Sequence, residues 1–558
     1  MKKETITKLA AAVVLTAATV SGFSQTNLGA DCGCPPVASR PTVLMSTLAT
    51  NGGSTDGSLT ANNTILDCSK TWILDKKIFV DPGKSLEIEP GTLVKGRHRS
   101  TPDSAVCLIV SRGGKLFADG TSDCPIVFTA EADPMDGTYP LTNRGQWGGI
   151  VLAGRATNNL TLAANGPYSA GAGNGKLAVA DGLGYFEGFA TNDSRMYFGA
   201  NLTSSEVFDD NDNSGILRYV SVRFAGAVLN VGGEINGISL GSVGRGTTIE
   251  HIDVISSADD AMEFWGGTVD VKYASFMFGN DDNFDWDDGY SGKAQFVFVL
   301  QTDTAGASPD ADNGFECDAD DQKSNLTPRS HPVIYNSTMI GNRKRTLTSD
   351  NSGLAAIEAK ELTEGEIYNS IFANFRYGLN IIKTLGTRVN VAGEAWDNWT
   401  NSGGNGSQSL KVKCNTFVNC IVPFAIDKNG TGGTGTTADT TQFYQTDMNV
   451  KATSVPGFDY AWAVNDVTNV VAHKLDMIPN PVLTTGCPAA PSDGFFTPAP
   501  FRGAFASTGQ NWLSSWSYAS MLGAMGGTAP CPTDINQDGV TNNADFLLLL
   551  GQFNQVCQ

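Results

Sequence analysis

The stretch GNDDNFDWDD, residues 279–288, packs Asp281, Asp282, Asp285, Asp287 and Asp288 around Phe284 and Trp286. Carboxylates this close repel one another, so they require a metal ion, a cationic ligand, a shared proton or bulk water. Asp259 and Asp260 precede them, with Asp260 lying 21 and 22 residues before Asp281 and Asp282. A further acidic run, Glu316, Asp318, Asp320 and Asp321 in ECDADD, either extends the same group or forms a solvated loop.

A second constellation stands near the carboxyl end. DINQDGVTNNAD places Asp534, Asn536, Asp538, Val540, Asn542 and Asp545 at positions 1, 3, 5, 7, 9 and 12 of a twelve-residue loop, with Gly539 at position 6. Calcium takes six to eight oxygen ligands, and such a loop wraps side-chain oxygens and one backbone carbonyl, here that of Val540, around it. Gly539 permits the sharp turn, and FLLLLGQF supplies the apolar helix that follows. Ca2+ is therefore the expected cofactor, with Asn542 acting directly or through water.

Other chemistries find little support. His98, His251, His331 and His473 are scattered, which argues against zinc. There is no phosphate loop in a strand-to-helix context and no Gly-x-Ser-x-Gly elbow. Trp265, Trp286, Trp396 and Trp399 are read as packing residues before sugar platforms.

The elements that must position the aspartates are short strands. KIFVD, SLEIEP, CLIVS, KLFADG, PIVFTA and GGIVLAG alternate apolar and polar positions between Gly, Asn and Asp turns. A longer period overlies this alternation: Leu240, Phe264 and Trp286 hold equivalent places, 24 and 22 residues apart, and Ile249–Ile252 matches Val269–Val271. Fixed spacing of this kind predicts a solenoid, an all-β, right-handed parallel β-helix in which each coil stacks on the last. Asp260 then stacks beside Asp281 or Asp282 at about 4.8 Å. Two unit charges at that distance repel by about 3 kcal/mol at an effective dielectric near 20. Phe284 and Trp286 should face inward, and Asp285 and Asp287 outward.

Several segments resemble a known set of proteins. SLEIEPGTLVKG, LIVSRGGKLFADGTSDCPIVFTA, GQWGGIVLAG, GTTIEHIDVISSADDAMEFWGGTVDVKY, DGYSGKAQFVFVLQ and FRGAFASTGQNWLSSW are similar, in content and order, to secreted bacterial right-handed parallel β-helix surface proteins. The resemblance covers roughly residues 65–516 and implies the fold, not an activity. The tail loop resembles half of a dockerin repeat, with Asp545 where an EF-hand carries Glu; cohesin-gripping dockerins have two loops, so a cohesin partner is not expected. ADD followed one coil later by NDD also resembles the three-aspartate site of β-helix polygalacturonases. That resemblance implies Asp260, Asp281 and Asp282 as catalytic residues, Asp281 being the acid. The Gly-His-Gly and Arg-Ile-Lys that accompany such a site are missing. A lyase would need a Lys or Arg base, for which Lys272 and Lys293 stand in no recognisable motif.

The amino end reads as a secretory signal over residues 1–24: Lys2, Lys3 and Lys8, then LAAAVVLTAATVSGF, too short to span a membrane. A linker at 25–60, the β-helix with its cap at 61–516, a linker at 517–530 and the calcium motif at 531–558 complete the expected organisation. The formal net charge of −20 disfavours nucleic acid and anionic membranes. Eleven cysteines fit an oxidising compartment, and the odd count leaves at least one without an intramolecular partner; Cys414–Cys420 and Cys531–Cys557 are the favoured pairs. The expected function is an extracellular or cell-surface scaffold or adhesin meeting glycans or a cell-surface component; the alternative is a polysaccharide hydrolase or lyase.

Overall fold

The computed structural model describes residues 27–524, except 51–55, 100–104, 163–177, 187–188, 190–192, 231–232, 302–310, 320–325, 343–353, 384–392, 401–407, 428–434, 461–463, 466–469, 472–474, 480, 485 and 507–510. The expected signal segment and calcium motif, with Asp534, Asn536, Asp538, Val540, Asn542, Asp545, Cys531 and Cys557, lie outside the described residues, as do Asp320 and Asp321.

Strands stack in parallel, coil upon coil, as a β-helix. An eleven-stranded sheet forms one flat face, and an eighteen-stranded sheet wraps the remainder. The stack anticipated from spacing is present: Leu240 pairs with Phe264, and Phe264 with Trp286. Ile249 pairs with Val271 and Ile252 with Ala274, so the expected match of Ile249–Ile252 with Val269–Val271 is shifted, Val269 lying before the strand. All six quoted strand segments are strands, among them Lys77–Val80, Ser85–Ile88 and Ile126–Ala130. Inward residues build one core, in which the Phe264 ring lies 4.7 Å from Phe284 and 4.3 Å from Tyr290.

The larger sheet turns a corner within single strands. Gly215–Arg223, Thr248–Ile255, Val271–Met277 and Lys293–Leu300 each bend at a left-handed residue: Tyr219, His251, Tyr273 and Phe296, with φ between 50° and 62°. A non-glycine residue there costs about 1–2 kcal/mol. Ring stacking offsets part of that cost, with His251 at 4.2 Å from Tyr219 and 4.5 Å from Tyr273. In later coils the corner carries a polar ladder: Ser370 N–H donates to Asn415 Oδ1 at 2.9 Å, and Asn415 N–H to Asn449 Oδ1 at 3.0 Å.

Two expected linkers are packed structure instead. Within 25–60, Thr42–Leu44 pairs in parallel with Thr71–Leu74, and disulfides Cys32–Cys124 and Cys34–Cys68 hold the segment down. Buried Arg40 stitches it further, donating to Pro35 O and Gly91 O, both at 2.9 Å. At the other end, residues 487–506 and 511–524 run as a strap along the corner of the helix. The strap includes the short helix Tyr518–Met521, with Tyr518 and Ala519 buried, so the segment expected as a linker from 517 is packed as far as 524. The pairing Cys414–Cys420 is not formed: Cys414 is bonded to Cys487 of the strap, and Cys420 is a buried thiol. Spacing favoured the near partner, but Cys414 sits at the corner, on the surface the strap crosses.

Candidate functional site

The flat sheet sets out the acidic residues in register. Strands Ile238–Gly241, Met262–Trp265, Phe284–Asp287, Phe315–Cys317, Ala355–Ala359 and Tyr377–Ile381 stack in order. One outward-pointing column reads Ser239, Glu263, Asp285, Glu316, Glu358, Asn380. Four consecutive carboxylates therefore stand one strand spacing apart, about 4.8 Å. Amides close both ends: Asn236 Nδ2 donates to Glu263 Oε2 at 2.7 Å, and Asn380 Nδ2 to Glu358 Oε2 at 3.3 Å. Lys360 adds a cation, with Nζ 2.9 Å from Glu316 Oε1 and 3.3 Å from Asp318 Oδ2.

Asp285 and Asp287 do point away from the core side chains Phe284 and Trp286, as expected, yet they are only 6% and 1% exposed. A further layer covers part of this face. The hairpin of Leu183–Tyr185 with Tyr197–Gly199 brings Phe198 against Trp265, and Phe186 sits 5.3 Å from the same ring. Gly266, at φ 66°, lets Asn158 seat against the sheet; a Cβ there would lie 2.6 Å from Asn158 Cβ.

The turn before each strand carries a second ladder. Asp260 Oδ1 accepts from Asp282 N–H at 2.9 Å, Asp282 Oδ1 accepts from Asn313 N–H, and Asn313 Oδ1 accepts from Ala355 N–H at 3.0 Å. Each side chain thus caps the backbone of the next coil, satisfying a donor that a buried turn would otherwise leave bare. The structure brings Asp260, Asp281 and Asp282 onto adjacent turns, as the spacing predicts. It divides them by use: Asp260 and Asp282 are buried caps, while Asp281 is half-buried and joins Asp259 and Asp260 in a group whose donor oxygens lie within 4.8 Å.

Two more carboxylate groups meet the same measure, Asp260–Glu263–Asp285 and Asp285–Glu316–Asp318. Burial pushes the Asp260 carboxyl well above its ordinary range, and Asp259, Asp285, Asp282 and Glu263 push it further. Asp282 is raised by burial, then by Glu316 and Asp281. Burial also raises Asp318, against the pull of Lys360. Although burial disfavours the Lys360 ammonium, Asp318 and Glu316 hold its pKa well above the usual value. Among the described residues these groups are all-oxygen sets, which suit a hard cation such as calcium.

Glu263, Glu358 and Lys360 were not anticipated. The signal for Glu263 was available, since it precedes Asp285 by the same 22 residues that separate Asp260 from Asp282. Trp265, Trp286 and Trp399 are buried packing residues, as expected; Trp396 is partly buried, with Lys383 Nζ 3.7 Å from its ring centre.

The family profile agrees with this architecture. The profile of the family described as pectate-lyase like beta helix domain matches residues 57–187 and 190–461. No curated protein matches the chain. Among solved structures, the catalytic unit of the thermostable GH87 alpha-1,3-glucanase from Streptomyces thermodiastaticus strain HF3-3 is similar at 8% identity and a TM-score of 0.19. That alignment covers 75% of this chain and 63% of the glucanase unit. With coiled parallel strands over most of its length and the family profile matched across them, the chain belongs to the pectate-lyase-like β-helix domain family.

Proposed function

We propose that this protein is an extracellular or cell-surface β-helix scaffold, stabilised by calcium, that meets glycans or neighbouring surfaces without turning them over. The observation that carries this reading is the use made of Asp260 and Asp282. Both carboxylates are buried, and each accepts a backbone N–H from the coil above. A general acid or base must instead reach a proton on its substrate. Three disulfides among the described residues and a net charge of −20 support an oxidising, extracellular setting and a partner other than nucleic acid. No helix among the described residues is long and apolar enough to cross a membrane.

The enzyme reading keeps two observations in its favour: membership of a family described as pectate-lyase like, and the column Glu263, Asp285, Glu316 and Glu358, flanked by the half-buried Asp281. A glycan array combined with a reducing-sugar assay separates the two. Binding without product is expected, and Asp281→Asn should leave binding within about twofold. Sugar release that Asp281→Asn abolishes would establish a polysaccharide-active enzyme, and absence of binding to every glycan would remove the adhesin.

Calcium has two proposed positions, the carboxylate groups of the flat sheet and the tail loop Asp534, Asn536, Asp538, Val540, Asn542 and Asp545. The tail would then serve as a sorting or anchoring tag. Titration calorimetry on the full chain should show Asp534→Ala losing one calcium site relative to the native protein. Equal stoichiometry in both would refute the loop assignment.

A further inference from the structure

We propose that the strap of residues 487–506 and 511–524 is a clamp with one fixed end and one releasable end, in which Ser515–Ala524 is a latch that opens without unfolding the coils beneath it. The fixed end is covalent, Cys487 to Cys414. Between the ends the strap is held by rings and satisfied polar groups together: Phe505 lies 5.4 Å from Phe298 and Trp512 5.6 Å from Tyr273, Lys293 Nζ pairs with Asp493 Oδ2 at 2.6 Å, Gln295 Nε2 donates to Thr497 O at 2.8 Å, and Ala504 N–H donates to Thr338 Oγ1 at 2.8 Å.

The latch covers rings and charges together: Trp516 is fully buried, 5.5 Å from the Tyr219 ring, and beside it lies a pair of buried charges. Tyr518 N–H donates to Asp253 Oδ2 at 2.7 Å, and the Tyr518 ring covers the Arg223 guanidinium with 4.7 Å from Cζ to the ring centre. Arg223 and Asp253 are both 0% exposed. Arg223 Nε donates to Ser221 Oγ at 2.8 Å, but its Nη1 and Nη2 reach no acceptor among the described residues. The other charged group facing this pair, Asp133, already accepts from Thr129 Oγ1 and Met135 N–H. Asp253 Oδ2 also accepts from Ser221 Oγ at 3.1 Å, but closing the latch strips water from Arg223 Nη1 and Nη2 and Asp253 Oδ1 and returns them no hydrogen bond among the described residues. Opening it rehydrates both, while the hydrogen-bonded middle section and the disulfide keep the strap in place. Segments with this imbalance populate open states well before global unfolding.

Hydrogen–deuterium exchange on the full-length protein tests the inference. The amides of 515–522 should exchange faster than those of 501–505 and of the strand Thr248–Ile255. Asp253→Ala, which removes the acceptor for Tyr518 N–H, should speed exchange at 515–522 by about tenfold or more while strand Met262–Trp265 is unchanged. Tyr518→Ala, which leaves every residue of the coils in place, should do the same. Latch amides as slow as those of Thr248–Ile255, or acceleration spreading into Met262–Trp265 in the Tyr518 variant, would overturn the proposal.

Discussion

Phe264→Asp should abolish folding at ambient temperature, and Phe264→Ala should lower stability by about 3–5 kcal/mol. Phe264 is fully buried in the middle of the inward column, between Leu240 and Trp286, with rings of Phe284 and Tyr290 against it. In a stacked core the neighbours above and below are held by their own coils, so the space left by alanine cannot collapse and its lining loses contacts outright. Aspartate adds the cost of a buried charge with no partner. Urea unfolding followed by far-ultraviolet circular dichroism measures both changes. The control is Ile65→Asp, because Ile65 is 48% exposed on the strand Asn63–Leu66 and its replacement should cost less than about 1 kcal/mol. Equal effects at the two positions would show that the register of the column is wrong.

The acidic face should make the protein more stable as pH falls from neutral to mildly acidic values, provided divalent cations are chelated. A carboxyl whose pKa is higher folded than unfolded binds its proton more tightly when folded. Its contribution is complete below the ordinary carboxyl range, near pH 4, and is lost as pH climbs through the raised value. Asp260, Asp282 and Asp318 are raised chiefly by burial, and Asp270 is raised to about 6 for the same reason. Acids held low by arginine, such as Asp193 beside Arg195 and Glu131 beside Arg97, lose stability only lower on the scale. Calcium on the face should replace the proton, raising the melting temperature at neutral pH and flattening the pH slope. The measurement uses Asp534→Ala in the full chain, so that the tail loop does not supply the response. A melting temperature that declines on mild acidification and ignores calcium would sink the cation site and the raised carboxyl pKa values together.

The coil architecture was legible because two periods coincide. Alternation placed Phe284 and Trp286 inward, and the spacing of about 22 residues placed Leu240, Phe264 and Trp286 in one column. What covers a coil was not legible. Asp285 alternates correctly, but its burial, like that of Glu358, is a property of the layers packed outside the sheet, which no local pattern encodes. Asp260 and Asp282 illustrate a related limit. Their spacing suits a catalytic pair and a capping ladder equally, and it does not encode the backbone N–H groups from which both accept. The linkers failed for another reason: segments without strand periodicity look unstructured, although Arg40 and the cysteine pairs fix one and Asp253 and Arg223 seat the other.

The strap also sets how the molecule would bear a mechanical load. Cys32 is bonded to Cys124, and Ser515 Oγ donates to Ser122 O, so the chain enters and leaves the described fold on one coil. Tension applied through the carboxyl end would meet the latch first and peel it contact by contact, rather than shear the parallel ladders together. Peeling would run toward Cys487 and stop there, at a covalent bond to Cys414. The chain released from 488 to 524 would span roughly 125 Å when extended. A molecule tethered by its tail would thus yield early and by a bounded length while its coils stayed unloaded, a shock absorber in series with a rigid rod.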